Sequence, residues 1–202
     1  DAFIPATRVP GSWDRGYVQS VGGICTVVGD QLRFYYIGFK GGDSSSYMHS
    51  NGATGMATLR RDGFASMSTT GEGSLTTHPV KFSGKYMFVN VNCPAGELKV
   101  EILDKNNKVI DGFSADKCKA VTIDSTIQQV EWNGASDLSS LAGQEVRFRF
   151  KLKNGDLYAF WVSPSTNGES NGYVAGGGPG YTSNKDTEGK KAYEKASGFQ
   201  KF

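Results

Sequence analysis

The sequence predicts an all-β protein, an antiparallel two-sheet sandwich of jelly-roll-like type, with a β-hairpin segment in front and a glycine-rich arm behind. Three observations predict it. Val146, Phe148, Phe150 and Leu152 alternate with Arg147, Arg149, Lys151 and Lys153, the period of a strand buried on one face. Asp-Gly and Asn-Gly pairs recur between apolar runs, at Asp62-Gly63 and Asn154-Gly155, and 27 of the 202 residues are glycine. Long alanine- and leucine-rich helical stretches are missing, and aromatic residues reach 12%.

In chain order, the apolar runs 16–28 and 31–39 flank Gly29-Asp30 and read as a hairpin within a first segment, 1–42. Residues 43–55, polar and rich in serine and glycine, read as a linker. The sandwich is expected over 56–162. There, 57–60 and 64–67 flank Asp62-Gly63 as a second hairpin, and 86–91 is a largely apolar run. Leu98, Val100 and Ile102 alternate with Glu97, Lys99 and Glu101, and a turn at 104–108 leads into Val109-Ile110. Residues 136–141 hold the one helical turn. Asn154-Gly155 is expected to turn strand 146–153 into 157–162, which is apolar on both faces and reads as a central strand. The expected core comprises Leu59, Phe64, Val89, Val91, Leu98, Val100, Ile102, Val146, Phe148, Phe150 and Trp161. The arm, 163–202, carries Gly176-Gly177-Gly178-Pro179-Gly180, which fits neither helix nor central strand. Its lysine-rich end reads either as a short helix around 189–196 or as an ordered extension, too poor in apolar residues to fold alone.

A formal net charge of +2 and the lack of any run of five like charges argue against a nucleic-acid partner. No stretch approaches the roughly 20 apolar residues of a membrane span. The chain opens on Asp1 rather than methionine, the pattern of a mature or trimmed product, so secretion is not read from its start. Cys25, Cys93 and Cys118 show no CxxC spacing, and with His49 and His78 as the only histidines no zinc or other metal site is expected. Two readings of the thiols stand side by side. Either all three are buried and free, or Cys93 pairs with Cys118 in a bridge closing a loop of about 25 residues, worth ~3–4 kcal/mol.

Glycoside hydrolysis needs two carboxyl groups across a bond, and the candidates are Asp14, Asp43, Asp62, Asp124 and Glu131. Asp62 is explained by its turn, and Asp124 by a loop. Asp14, in Gly11-Ser12-Trp13-Asp14-Arg15-Gly16, has an aromatic and a cation beside it. It reads either as a turn packed by Trp13 or as a sugar-facing rim with Trp13, Arg15 and Tyr17. Serine or cysteine nucleophiles need a histidine base in a recognisable context, which is missing. The glycine cluster around Gly178 lacks the lysine and hydroxyl of a phosphate loop, and Asp104–Lys108 has Val109 and Ala115 where a calcium loop needs glycine and glutamate. No cofactor is expected. Sugar binding without catalysis would use exposed aromatics, for which Trp13, Tyr17, Trp132, Tyr158 and Trp161 are available, with core packing as the plainer role of each. The cation row from Arg147 to Lys153 reads as a solvated face balanced by Glu97 and Glu101, or as a surface for acidic glycans.

Several segments together resemble one family. Gly11-Ser12-Trp13-Asp14-Arg15-Gly16-Tyr17-Val18, then Val27-Val28-Gly29-Asp30 and Leu32-Arg33-Phe34-Tyr35-Tyr36, resemble the last blade of bacterial five-bladed propeller glycosidase-like proteins grouped with glycoside hydrolase family 32 and its relatives. Ala57-Thr58-Leu59-Arg60-Arg61-Asp62-Gly63-Phe64, Gly96-Glu97-Leu98-Lys99-Val100-Glu101, Asp124-Ser125-Thr126, Leu141-Ala142-Gly143 and Leu157-Tyr158-Ala159-Phe160-Trp161-Val162 resemble their C-terminal β-sandwich, and Gly172 to Gly180 their tail. The resemblance implies that most of the propeller, with nucleophile and acid, lies outside this chain, and that Trp13-Asp14-Arg15 begin an innermost strand near the propeller axis. It implies a sandwich that supports the propeller and sometimes joins subunits, in a secreted, cell-surface or periplasmic protein acting on carbohydrate. The expected partners are a polysaccharide, a missing propeller chain or further copies of this one. The alternatives are a stand-alone carbohydrate-binding module and a self-assembling surface protein.

Overall fold

The computed structural model describes residues 2–42 and 47–199. The chain is all-β, with two antiparallel sheets, as the sequence predicts. The first sheet contains β1 (Tyr17–Ser20), β2 (Thr26–Val28), β3 (Gln31–Phe39) and β4 (Gly52–Arg60). β1 and β2 lie end to end on one side of β3 and β4 lies on its other side, so the sheet is three columns wide. Run 16–28 is broken because Gly22 and Gly23, at φ +86° and +69°, loop the chain out between β1 and β2. Gly29 takes the positive φ, +59°, that a two-residue hairpin loop demands.

Two sequence expectations fail here, for physical reasons. Residues 52–55, read as linker, are the start of β4 and pair fully with β3. Their small side chains make room for rings: a Cβ on Gly52 would sit 2.8 Å from Phe39, and one on Gly55 2.5 Å from Tyr36 and 2.7 Å from Trp13. Asp62-Gly63 does not close a hairpin either. Asp62, at φ +52°, ends β4, and the chain crosses to the other sheet. Residues 64–66 form no strand, and Phe64 is 66% exposed, lying against Phe3 and Phe34 rather than in the core.

The second sheet contains β5 (Met67–Thr76), β6 (Tyr86–Asn92), β7 (Glu97–Leu103), β8 (Asp124–Val130) and β9 (Arg147–Ser163). The turn expected at Asn154-Gly155 is instead a bend inside the 17-residue strand β9. Asn154 takes φ +43°, and a Cβ on Gly155 would meet Asn92 O and the Cβ of Cys93 at 2.6 Å. The first half of β9 pairs with β7 and the second half with β6, while β5 runs along its other side. One strand therefore serves both walls of the main core, where Val89, Val91, Leu98, Val100, Ile102, Val146, Phe148 and Phe150 are all buried as expected. Trp161 faces the other way and stacks on Phe88, 5.7 Å between ring centres. Leu59 is half-buried and belongs to a small second cluster of Cys25, Val27, Leu32 and Val174 on the first sheet. Val109 makes only an isolated bridge to Leu103, and the expected helical turn is a 3-10 turn at Ser139–Leu141.

The arm is ordered because it covers both sheets. The Gly176 amide donates to Cys25 O (2.9 Å) and the Val27 amide to Gly177 O (2.7 Å), so the glycine run lies against β2. Helix α1 (Lys190–Ala196) buries Ala192 and Ala196. A Cβ on Gly178 would collide with the Val27 carbonyl oxygen. Gly178→Ala should therefore cost about 2–3 kcal/mol and lower the melting temperature by roughly 5–10 °C in scanning calorimetry. An unchanged melting temperature would contradict this packing.

Candidate functional site

Trp13, Asp14, Arg15 and Tyr17 do not converge. Trp13 lies over Gly38 and Gly55 with its ring 5.7 Å from Tyr36, on the face of the first sheet that also carries Leu32 and Phe34. Tyr17 pairs in register with Phe39 and so stands on the opposite face, edge-on to His49 at 4.9 Å. Arg15 is exposed. Asp14 is buried and accepts a hydrogen bond from Thr7 Oγ1 at 2.8 Å, while its Oδ1 has no partner among the described residues. That is the environment of a turn carboxylate.

The remaining carboxylates are each engaged separately. Asp124 takes Arg60 at 2.5 Å, Glu131 takes Lys119 at 2.8 Å, and Asp62 stands 3.7 Å from Arg61. Asp43 lies outside the described residues. Among the described residues no cluster of three metal-ligating side chains occurs. The cation row on β9 is answered from its neighbours, Arg149 and Lys151 by Glu101 and Lys153 by Glu72. The Cys93–Cys118 bridge is not formed, and all three cysteines are buried free thiols. The sulfurs of Cys93 and Cys118 are held by backbone instead: Cys93 Sγ donates to Val121 O at 3.1 Å, and Cys118 Sγ accepts from the Val100 amide at 3.3 Å. Burial pushes both thiols above their ordinary pKa, which makes them poor nucleophiles.

The densest polar constellation lies where β4 ends, and the sequence reading missed it. Arg60 donates to Asn90 Oδ1 (2.7 Å), Asp124 and Val91 O, with its guanidinium 4.6 Å from the Tyr158 ring centre. Arg61 turns the other way, to Asp186 at 2.9 Å, between the rings of Tyr181 and Tyr193. Burial works to lower the Arg61 pKa, but Tyr193, Tyr181 and Asp186 outweigh it and hold the guanidinium firmly charged. Asp186 also accepts from the amides of Gly189 and Glu188 and from Ser170 Oγ. Arg61 and Asp186 are 125 residues apart, so only the motif Arg60-Arg61 at a strand end was available as a signal.

Two hollows run along the outer side of β8 and share Lys119, Gln129 and Glu131. One, of about 240 Å³, is also lined by Lys85, Tyr86, Asp137 and the buried Trp132. The other, of about 450 Å³, continues past Thr122 and Gln128 to Lys190. They open because the segment beside β8 forks away: the Lys119 amide still donates to Glu131 O at 2.9 Å, but Val121 has moved to bridge Leu98 on β7.

Burial raises the pKa of both Tyr181 and Tyr193, against the opposing pull of Arg61. Both hydroxyls hold their protons more tightly folded than unfolded. The stability they contribute is fully present below their ordinary pKa of 10.0 and is lost as pH rises past it. Chemical denaturation as a function of pH should show this alkaline loss. Tyr181→Phe, which removes a hydroxyl buried without a well-formed hydrogen bond, should keep stability at pH 7 and blunt the loss. Arg61→Ala should cost about 3–5 kcal/mol by stranding Asp186.

No family model, curated protein or solved structure matches this chain, and the site is read from its own geometry.

Proposed function

We propose that this chain is the C-terminal portion of a secreted or surface-exposed glycosidase-like protein, in which the first sheet is a propeller blade and the second a sandwich that buttresses it without catalysing. One observation carries the reading. The face of the first sheet bearing Tyr17, Gln19, Tyr35, Ile37, Phe39, Thr54, Met56 and Thr58 has no charged side chain in its centre, and Tyr35 and Met56 are 41% and 42% exposed. Arg33, at one end, is buried and donates to Phe199 O at 2.6 Å. Two columns of nine residues and one of seven span at most about 400 Å² from strand spacing and rise, with His49 against Tyr17 and Phe39 at one end. That is about half of the ~800 Å² per partner of a standard stable interface, and it suits a neighbouring blade stacked within one protein better than an independent dimer.

The separate engagement of Asp14, Asp62, Asp124 and Glu131 supports a non-catalytic role, because glycoside hydrolysis needs two carboxyl groups facing one bond. The test is the intact mass of the natural protein together with reducing-sugar release. A longer natural product that hydrolyses glycan, beside a silent 202-residue chain, is the expected result. Hydrolysis by this chain alone, or a natural product no longer than it, would overturn the reading. A charge on the open face should separate the two settings. Tyr35→Glu should leave the melting temperature of this chain nearly unchanged, within about 0.5 kcal/mol, yet disrupt assembly and activity of the longer protein.

A further inference from the structure

The groove along β8 is used by nothing described so far. We propose that it binds a neutral oligosaccharide chain. The proposal rests on the carbohydrate-associated reading only for its choice of sugars among neutral polyols. Four features of the groove argue for that ligand.

The 240 Å³ hollow has the size of a single sugar unit, and its continuation past Gln128 to Lys190 gives room for a chain rather than one unit. The ionic groups of the 240 Å³ hollow cancel, and Lys190, at the far end of the groove, donates to Thr166 O at 3.0 Å. Lys85 and Lys119 stand against Glu131 and Asp137, with Lys119 paired to Glu131 at 2.8 Å and Lys85 attracting Asp137. A charged ligand would gain little there. Its hydrogen-bonding groups are nonetheless left over. Among the described residues the Gln129 side-chain amide, the Tyr86 hydroxyl and the second carboxylate oxygen of Glu131 have no partner. These are donors and acceptors lining one hollow, the kind of groups that sugar hydroxyls pair with. Finally, two of these groups stand on strands, Tyr86 on β6 and Gln129 on β8. Gln129 pairs with Phe88 on β6, and the Trp132 indole beneath the groove is fixed by its own bond to Val100 O at 2.9 Å.

The experiment titrates the 202-residue chain with maltohexaose, cellohexaose, xylohexaose and a fructo-oligosaccharide, and with a chondroitin sulfate hexasaccharide as the charged comparison. The readout is the NMR shift of the Gln129 side-chain amide. At least one neutral sugar should move that signal in a saturable way. Gln129→Ala and Glu131→Ala should each weaken binding about tenfold, the loss of one or two hydrogen bonds, while melting within about 2 °C of the parent. Tyr17→Ala, on the far sheet, should bind as the parent does. The proposal is overturned if no neutral sugar binds, if binding survives both groove substitutions, or if the sulfated sugar binds better than every neutral one. Should the natural protein prove no longer than this chain while the sugars still bind at Gln129, the propeller reading fails and this one stands.

Discussion

The buried ion pair between Arg61 and Asp186 is the contact on which the arrangement of the molecule depends. The two sheets have separate apolar clusters, so little hydrophobic burial holds one against the other. What joins them is polar. Consecutive residues at the end of an extended strand point to opposite sides, so Arg60 reaches the second sheet through Asn90 and Asp124 while Arg61 reaches the arm. Asn90 closes the connection by donating to Arg61 O at 2.6 Å. A buried pair contributes modestly against an apolar replacement, but losing one partner leaves a charge without compensation. Its worth lies in fixing a single arrangement, because among the described residues Asp186 pairs with no second cation and is already tied to the Gly189 amide at 2.8 Å.

The arm makes that pair viable. It brings Tyr181 and Tyr193 over the guanidinium and so excludes water from it. It can come close enough only because Gly176 and Gly178 allow its backbone to lie directly on Cys25 and Val27. The same logic governs the first sheet, where Gly38, Gly52 and Gly55 lie under the rings of Trp13, Tyr36 and Phe39. Glycine here marks places where something large sits on the backbone, as often as it marks a turn.

That dual use of glycine explains what was legible in the sequence and what was not. The first half of β9 is read correctly because it buries one face, so the alternation is written residue by residue, while β7 keeps that pattern only to Val100 and then buries Glu101 and Leu103 as well. The start of β4 looked like a linker because its glycines carry no period, although they are strand residues chosen for the rings above them. Asp62-Gly63 and Asn154-Gly155 have turn chemistry, and both positions do adopt positive φ at Asp62 and Asn154. One ends a strand and the other bends one, a difference set by where the partners of β9 lie and not by the dipeptide. At the candidate site, Trp13 and Tyr17 are four residues apart in sequence yet stand on opposite faces, while Arg61 and Asp186 meet from opposite halves of the chain. Local motif reading reaches the first kind of neighbour and misses the second.

The distribution of charge then separates the two surfaces that remain. On the outer face of the first half of β9, Arg149, Lys151 and Lys153 are answered by Glu101 and Glu72 and Arg147 donates to Thr77 O, so it is a solvated surface with little left to offer. The open face of the first sheet is different in kind. It exposes Tyr17, Tyr35 and Met56 with no central charge. Its position is fixed by the Arg60 and Arg61 contacts at the end of β4, so whatever covers it is held in a set orientation to the sandwich. The groove beside β8 has the opposite character, polar, charge-balanced and open, and remains available for a ligand when the first sheet is covered.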